Sequence, residues 1–202
     1  MKYNQIYKNN NVWGNQPNVL LQKIYSRLKP ATNFLDLGCG QGRDSLFMLQ
    51  KGFNIDAVDN SQEGINKIKE IIHSNNLSIA NINLFCNDII NFNILKNKYA
   101  IINAFNSLQF LPKEKSLKII ANIKNNIKNK GYIIISGFTT NDPLFKKTNN
   151  DKRCFFTPKE LKILFSDFEI IEYREKNIKD DGHPGSPEPH QHGIVQLIAQ
   201  KK

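Results

Sequence analysis

Apolar side chains in this chain switch repeatedly between a short buried run and a helical stripe, and the switches mark out an ordered series of elements. Runs such as Phe34-Leu35-Asp36-Leu37 and Phe53-Asn54-Ile55-Asp56-Ala57-Val58 have the length and composition of buried strands. Between the runs lie helical faces: Leu21, Ile24, Tyr25 and Leu28 behind Pro17; Ser45 to Leu49; Ile65, Ile68 and Ile72 behind a Ser61 cap; and Leu117, Ile120 and Ile127. The spacing predicts helices over 17–28, 43–51, 61–74, 113–128 and 158–165, the last opened by Pro158 and capped by Thr157. It predicts seven strands, over 33–37, 53–58, 79–85, 99–105, 132–136, 168–175 and 194–200. Alternating strands and helices imply an α/β fold, a parallel sheet with helices on both faces. The last two strands have no helix between them, so they are expected to pair antiparallel around a loop rich in Pro, Gly and His.

Chemistry concentrates at the first strand-to-helix junction, Asp36-Leu37-Gly38-Cys39-Gly40-Gln41-Gly42. Glycines tighten such a turn and let a ligand approach bare backbone at the helix start. A dinucleotide fingerprint needs glycine five places after the first, and that place is Arg43. A carboxylate at Asp36 would repel a diphosphate and suit an ammonium group. A nucleoside carrying an amino acid, S-adenosylmethionine, meets both conditions.

Two further acids fit that ligand. Asp59 closes the second strand 21 residues after Gly38, where a carboxylate accepts ribose hydroxyls. Asp88 follows the third strand, where a carboxylate takes an adenine amino group. Arg43, in the first helical turn, is placed either to pair with the cofactor carboxylate or to lie on the surface. Trp13, the single tryptophan, is either a lid over cofactor and acceptor or a staple for the first helix. The expected cofactor set is Trp13, Asp36, Gly38, Cys39, Gly40, Arg43, Asp59, Asn60, Asp88, Ile89 and Asn103.

Composition narrows the classes. The 202 residues carry a net charge of +10, yet the lysines are scattered and interleave with an apolar helical stripe, so they read as a solvated face and no nucleic-acid partner is expected. No apolar run approaches the ~20 residues of a membrane helix. The N-terminus Met1-Lys2-Tyr3-Asn4 has no apolar signal region, so a cytoplasmic location and no membrane partner are expected. Cys39, Cys86 and Cys154 are odd in number and far apart, as in reduced thiols.

The chain resembles the class I S-adenosylmethionine-dependent methyltransferases over nearly its whole length. D-L-G-C-G-Q-G-R-D-S (36–45), A-V-D-N-S-Q-E-G-I (57–65), L-Q-F-L (108–111) and H-G-I-V-Q-L-I-A-Q-K (192–201) resemble the tellurite-resistance methyltransferase family. One departure is Ala100, where the fourth strand usually carries an acid. The resemblance implies a seven-stranded Rossmann-like sheet in the order 3-2-1-4-5-7-6 with the last strand antiparallel. It implies one domain over 1–202: an N-terminal helical lid segment (1–30), a cofactor-binding core (31–138) and an acceptor-side region (139–202). It also implies methyl transfer to a small molecule, most directly tellurite or selenite, by a monomer or homodimer. A different small thiol, amine or carboxylate, or a cofactor-binding sensor without turnover, stays open. The N-P-P-aromatic signature of base-amino methyltransferases is missing from Asn103-Ala104-Phe105-Asn106, which argues against a nucleic-acid base.

Methyl transfer from a sulfonium to a lone pair is an in-line displacement that needs positioning more than proton transfer. The expected catalytic residues are therefore orienting groups: Arg43 and the loop histidines His183, His190 and His192, with Arg174 as a further cation. For the histidines three readings stand open: clamping an acceptor oxyanion, which leads; exposure on a stiff proline-fixed loop; and metal ligation by H-x-H plus a third His. No metal is expected on the leading reading.

Overall fold

The computed structural model describes residues 2–9, 11–148, 152–184 and 186–202. They fall into two units, Met1–Asn93 and Ile94–Lys202.

In the first unit, β1 (Asn33–Leu37), β2 (Asn54–Asp59) and β3 (Ile82–Cys86) pair in parallel, with Asp36 opposite Ala57 and Asp59 opposite Cys86. The parallel pairing requires crossovers, supplied by α3 (Arg43–Gln50) and α4 (Gln62–Ser74). Helix α4 begins as its sequence predicts. Ser61 accepts from Gly64 N at 3.1 Å, and Ile65, Ile68 and Ile72 are buried. The first expected helix is shorter than 17–28. It is α2 (Val19–Ile24), capped by Asn18 rather than opened by Pro17, because the Asn18 side chain accepts from both Leu20 N and Leu21 N. A helix outside the spans predicted from spacing, α1 (Lys2–Asn9), precedes it within the 1–30 segment. Residues 79–81 form a 3₁₀ turn, so the third strand begins at Ile82.

In the second unit, β4 (Ile101–Phe105), α5 (Lys113–Asn126) and the wholly buried β5 (Tyr132–Thr139) follow in order. Then come α6 (Pro143–Lys147), β6 (Phe155–Phe156), α7 (Glu160–Leu164), β7 (Glu169–Asp180) and β8 (His190–Gln200). Strand β8 runs antiparallel to both β5 and β7. The strand order is β3-β2-β1-β4-β5-β8-β7, with the two-residue β6 attached to β5. This is the expected Rossmann-like order, the short β6 having shifted the last two numbers by one.

Two expectations change here. Thr157 does not cap α7: its N–H and hydroxyl donate to Glu160 Oε2, which also takes Lys113 Nζ at 2.6 Å, and Lys159 enters the helix at φ 62°. The Pro/Gly/His-rich segment is also not one long loop. Strands β7 and β8 extend to a cross-strand pair Asp180–His190. Among the described residues, no helix is long and apolar enough to cross a membrane.

Candidate functional site

The glycine turn sits where β1 ends, and β2 holds it there. Gly38 N and Cys39 N both donate to Val58 O, at 2.8 and 3.0 Å. Gly38, Gly40 and Gly42 have φ of 79°, 54° and 82°, in the left-handed region that favours glycine. Asp59 links the end of β2 to the turn. Its Oδ2 accepts from Gly40 N and its Oδ1 from Ser61 N, each at 2.8 Å. Burial raises the Asp59 pKa above its ordinary 3.8, against the opposing pull of those N–H groups.

The other predicted cofactor residues divide by place. Asp36 is buried at the tip of β1 and accepts from Ser45 Oγ at 2.6 Å. Asn60 is exposed beside Asp59. Asp88 stands two residues past β3, half-buried next to Ile89, and its Oδ1 accepts from Ile90 N. Arg43 forms a fork with Asp44 at 3.1 and 3.2 Å, and Asp44 in turn holds Asn18 N and Nδ2, at the cap of α2. The anionic partner that a cation at a helix start requires is thus Asp44. Asn103 lies in the second unit, buried on β4 opposite Ile134.

Beside Trp13, residues that the sequence does not single out cover the turn. Trp13 is 37% exposed, and its indole donates to Tyr7 Oη at 3.2 Å. Tyr7 is buried over the glycine turn, so close that a Cβ on Gly40 would meet its hydroxyl at 2.9 Å. Burial, reinforced by the Asp59 charge, pushes the Tyr7 pKa up, so the phenol keeps its proton. Asn4 Oδ1 accepts from Ser61 Oγ and Glu63 N at the start of α4. Gln41 binds Val12 N and the Tyr7 carbonyl. The N-terminal segment is thereby stitched to the turn. Tyr3, Ile6 and Tyr7 at i, i+3 and i+4 were the available sequence signal. A second missed position is Gly64 on α4, where a Cβ would stand 2.6 Å from Gly40 O.

This donor set fits S-adenosylmethionine. Exposed turn backbone suits a ligand approaching at a helix start, and carboxylates at three strand ends suit an ammonium, ribose hydroxyls and an adenine amino group. Cys39 offers no nucleophile there. Burial, then the charges of Asp59 and Asp36, push its thiol pKa well up, and burial lifts Cys154 to about 11. Only Cys86 is exposed. Iodoacetamide at neutral pH should therefore label the native chain once, at Cys86, as read by peptide mass spectrometry. Labelling of Cys39 at a similar rate would show that the turn is open to solvent.

The predicted histidines gather in the second unit. His190 and His192 lie on the same face of β8, His183 faces Ser186 in the turn, and ring centroids are 5.6 Å apart for His183–His190 and 4.7 Å for His190–His192. His192 is buried, stacked on Phe138 at 4.6 Å, with Nδ1 2.8 Å from Asp142 Oδ2. Arg174, on β7, is exposed and pairs with Glu172. Two carboxylates, Asp142 and Asp180, stand within the histidine group, a setting that opposes a bare oxyanion.

Comparison with known proteins places these features in context. Residues 7–181 match the family described as "Tellurite resistance protein TehB". A probable S-adenosyl-L-methionine-dependent methyltransferase TehB of Haemophilus influenzae is 35% identical over 146 residues, covering 70% of this chain and 47% of that protein. A carboxy-S-adenosyl-L-methionine synthase of Psychromonas ingrahamii is 35% identical over 131 residues, covering 62% of this chain and 52% of its own length. The crystal structure of TehB from Haemophilus influenzae superposes with a TM-score of 0.77 at 27% identity, covering 92% of this chain and 62% of that one. The chain thus spans about half the length of these curated relatives.

Proposed function

Because the chain belongs to the TehB family of tellurite resistance proteins, we propose that it transfers a methyl group from S-adenosylmethionine to a small acceptor. A chalcogen oxyanion such as tellurite or selenite is the first choice of acceptor. The observation that carries the reading is Asp59, which joins the tip of β2 to the Gly40 amide and so fixes turn and carboxylate as one unit. When bound, S-adenosylmethionine supplies an electrophilic methyl group on a sulfonium. The chain's own work is orientation. Asp59 would accept ribose hydroxyls, Asp36 would hold the ammonium group and Asp88 the adenine amino group, while Tyr7 would shield the turn from water. An acceptor with a lone pair needs no general base, which agrees with the absence of a nucleophile at Cys39.

Two buried polar atoms stand in the turn after β4. Ser107 Oγ and Gln109 Oε1 are buried without a hydrogen-bond partner among the described residues. A buried unpaired acceptor costs about 1–3 kcal/mol. Gln109→Leu should therefore leave stability unchanged or raise it by about 1 kcal/mol in a chemical melt.

The similarity to carboxy-S-adenosyl-L-methionine synthases supports a second reading, in which the cofactor itself is the molecule modified. One assay separates the two: S-adenosylhomocysteine release across tellurite, selenite, thiols and amines, with mass spectrometry of the bound nucleoside. Methyl transfer predicts S-adenosylhomocysteine in step with a methylated acceptor. A carboxylated nucleoside without methylated product supports the second reading, and neither product with bound cofactor marks a sensor.

A further inference from the structure

We propose that the tip of the β7–β8 hairpin is a binding site for one divalent transition-metal ion of the Zn²⁺ type, held by Asp180, His183, His190 and His192. Each of these residues offers a ligand atom, and the four atoms all lie within 4.8 Å of one another. Three imidazoles and one carboxylate are a donor set for Zn²⁺, which takes four ligands tetrahedrally. The backbone brings them together by register. Asp180 is directly opposite His190, and His192 projects on the same face two residues on. His183 is fixed at the turn by reciprocal hydrogen bonds with Ser186, at 3.0 and 2.8 Å.

The ring orientations carry the inference further than proximity does. Metal-ligating histidines characteristically donate one ring N–H to a carboxylate or a backbone carbonyl and present the other nitrogen to the ion. Here His192 Nδ1 is 2.8 Å from Asp142 Oδ2, and His190 Nδ1 is 2.7 Å from Glu188 O. His183 Nδ1 is likewise 3.2 Å from Pro184 O. For His190 and His192 the engaged Nδ1 points to Nε2 as the ligating nitrogen. Asp180 follows the same logic, since its Oδ1 accepts from Gly182 N while Oδ2 faces His190 Nε2 at 4.0 Å.

Asp142 is itself locked. It is buried, its Oδ1 accepts from Leu144 N, and its Oδ2 also takes Gly193 N at 3.1 Å. The approach depends on glycine at 193, where a Cβ would meet Asp142 N at 2.7 Å. Asp142 is therefore a positioning residue for His192. Two carboxylates among three imidazoles make the cluster a cation site. Four protein ligands close the coordination sphere, which is the pattern of a structural ion that clips a turn.

The test uses the 202-residue chain after chelator treatment and dialysis. Zn²⁺ is titrated in competition with a chromogenic chelator, and Co²⁺ serves as a spectroscopic probe. The expected result is one equivalent of Zn²⁺ per chain, intense visible Co²⁺ bands of a four-coordinate site, and a melting temperature raised by about 5–11 °C at a hundredfold excess over Kd. Asp180→Asn, His183→Ala and His190→Ala, at partly exposed positions, should each weaken Zn²⁺ binding by more than the 10–100-fold expected of Asp142→Asn. Asp142→Asn should keep the Co²⁺ bands, as a merely structural role would not predict. His73→Ala, in the first unit, should bind as the parent does. Cofactor calorimetry on each variant confirms that it is folded. No saturable uptake by the folded parent, or equal uptake by the His183→Ala/His190→Ala double variant, overturns the site.

Discussion

Asp59→Ala should weaken S-adenosylmethionine binding by about 1.5–3 kcal/mol, or roughly 10- to 150-fold, the scale of losing hydrogen bonds to a charged group. The same change removes the acceptor of Gly40 N and Ser61 N, so the turn loosens as the ligand contact is lost. Calorimetry on a variant with native circular dichroism measures this, and an affinity within twofold of the parent would take Asp59 out of the site. The carboxyl also gives a pH signature. Its folded pKa lies above its unfolded value, so the folded chain binds this proton more tightly. Its contribution to stability is therefore present at acid pH and lost as pH rises through the folded pKa. Cofactor affinity runs the other way, falling as the carboxylate is protonated, and Asp59→Ala should flatten that dependence.

Gly64→Val should be at least as damaging to binding while leaving most of the fold in place. The new Cβ alone would stand 2.6 Å from Gly40 O and 3.2 Å from a Tyr7 ring carbon. One obstacle is backbone and cannot swing aside, so α4 must move away from the glycine turn. Overpacking of this kind costs about 1–3 kcal/mol of stability. The displaced helix start carries Ser61 and Glu63, the groups that hold Asn4, so the N-terminal segment and the turn come apart together. We expect a lowered melting temperature and cofactor affinity reduced by more than tenfold, as for a lost charge-assisted contact. A variant with parental affinity would show that α4 need not abut the turn.

How much of this was legible follows from where burial is one-sided. Strands β1, β2 and β4 and helix α4 announce themselves because their apolar positions face a core, and the acids Asp36, Asp59 and Asp88 stand out against those runs. Helix α1 did not, because K-Y-N-Q-I-Y-K-N is mostly polar and buries only Tyr7 fully among its described side chains. Its stability comes from contacts with Gln41 and α4 that local spacing cannot report. Strand β7 was cut short at 175 for a related reason. It is last in the sheet order, its outer half Lys176 to Asp180 is largely exposed, and an edge strand needs no apolar alternation.

The histidines show a different limit. Their residue types and H-x-H spacing were visible, and three roles followed from them. Only the structure adds Asp180 across the hairpin and Asp142 from the start of α6, fifty residues upstream of His192. Those carboxylates turn an expected anion clamp into a proposed cation site. For Arg43, only the structure adds the fork to Asp44.

On this reading the turn from Asp36 to Gly42, tied to Asp59, holds S-adenosylmethionine. Isothermal titration of the purified 202-residue chain with S-adenosylmethionine is the direct test. Saturable binding of one molecule per chain is expected, with competition by S-adenosylhomocysteine and a marked loss in Asp59→Ala. A folded chain that gives no saturable binding, or binds equally well without the Asp59 carboxylate, would contradict it.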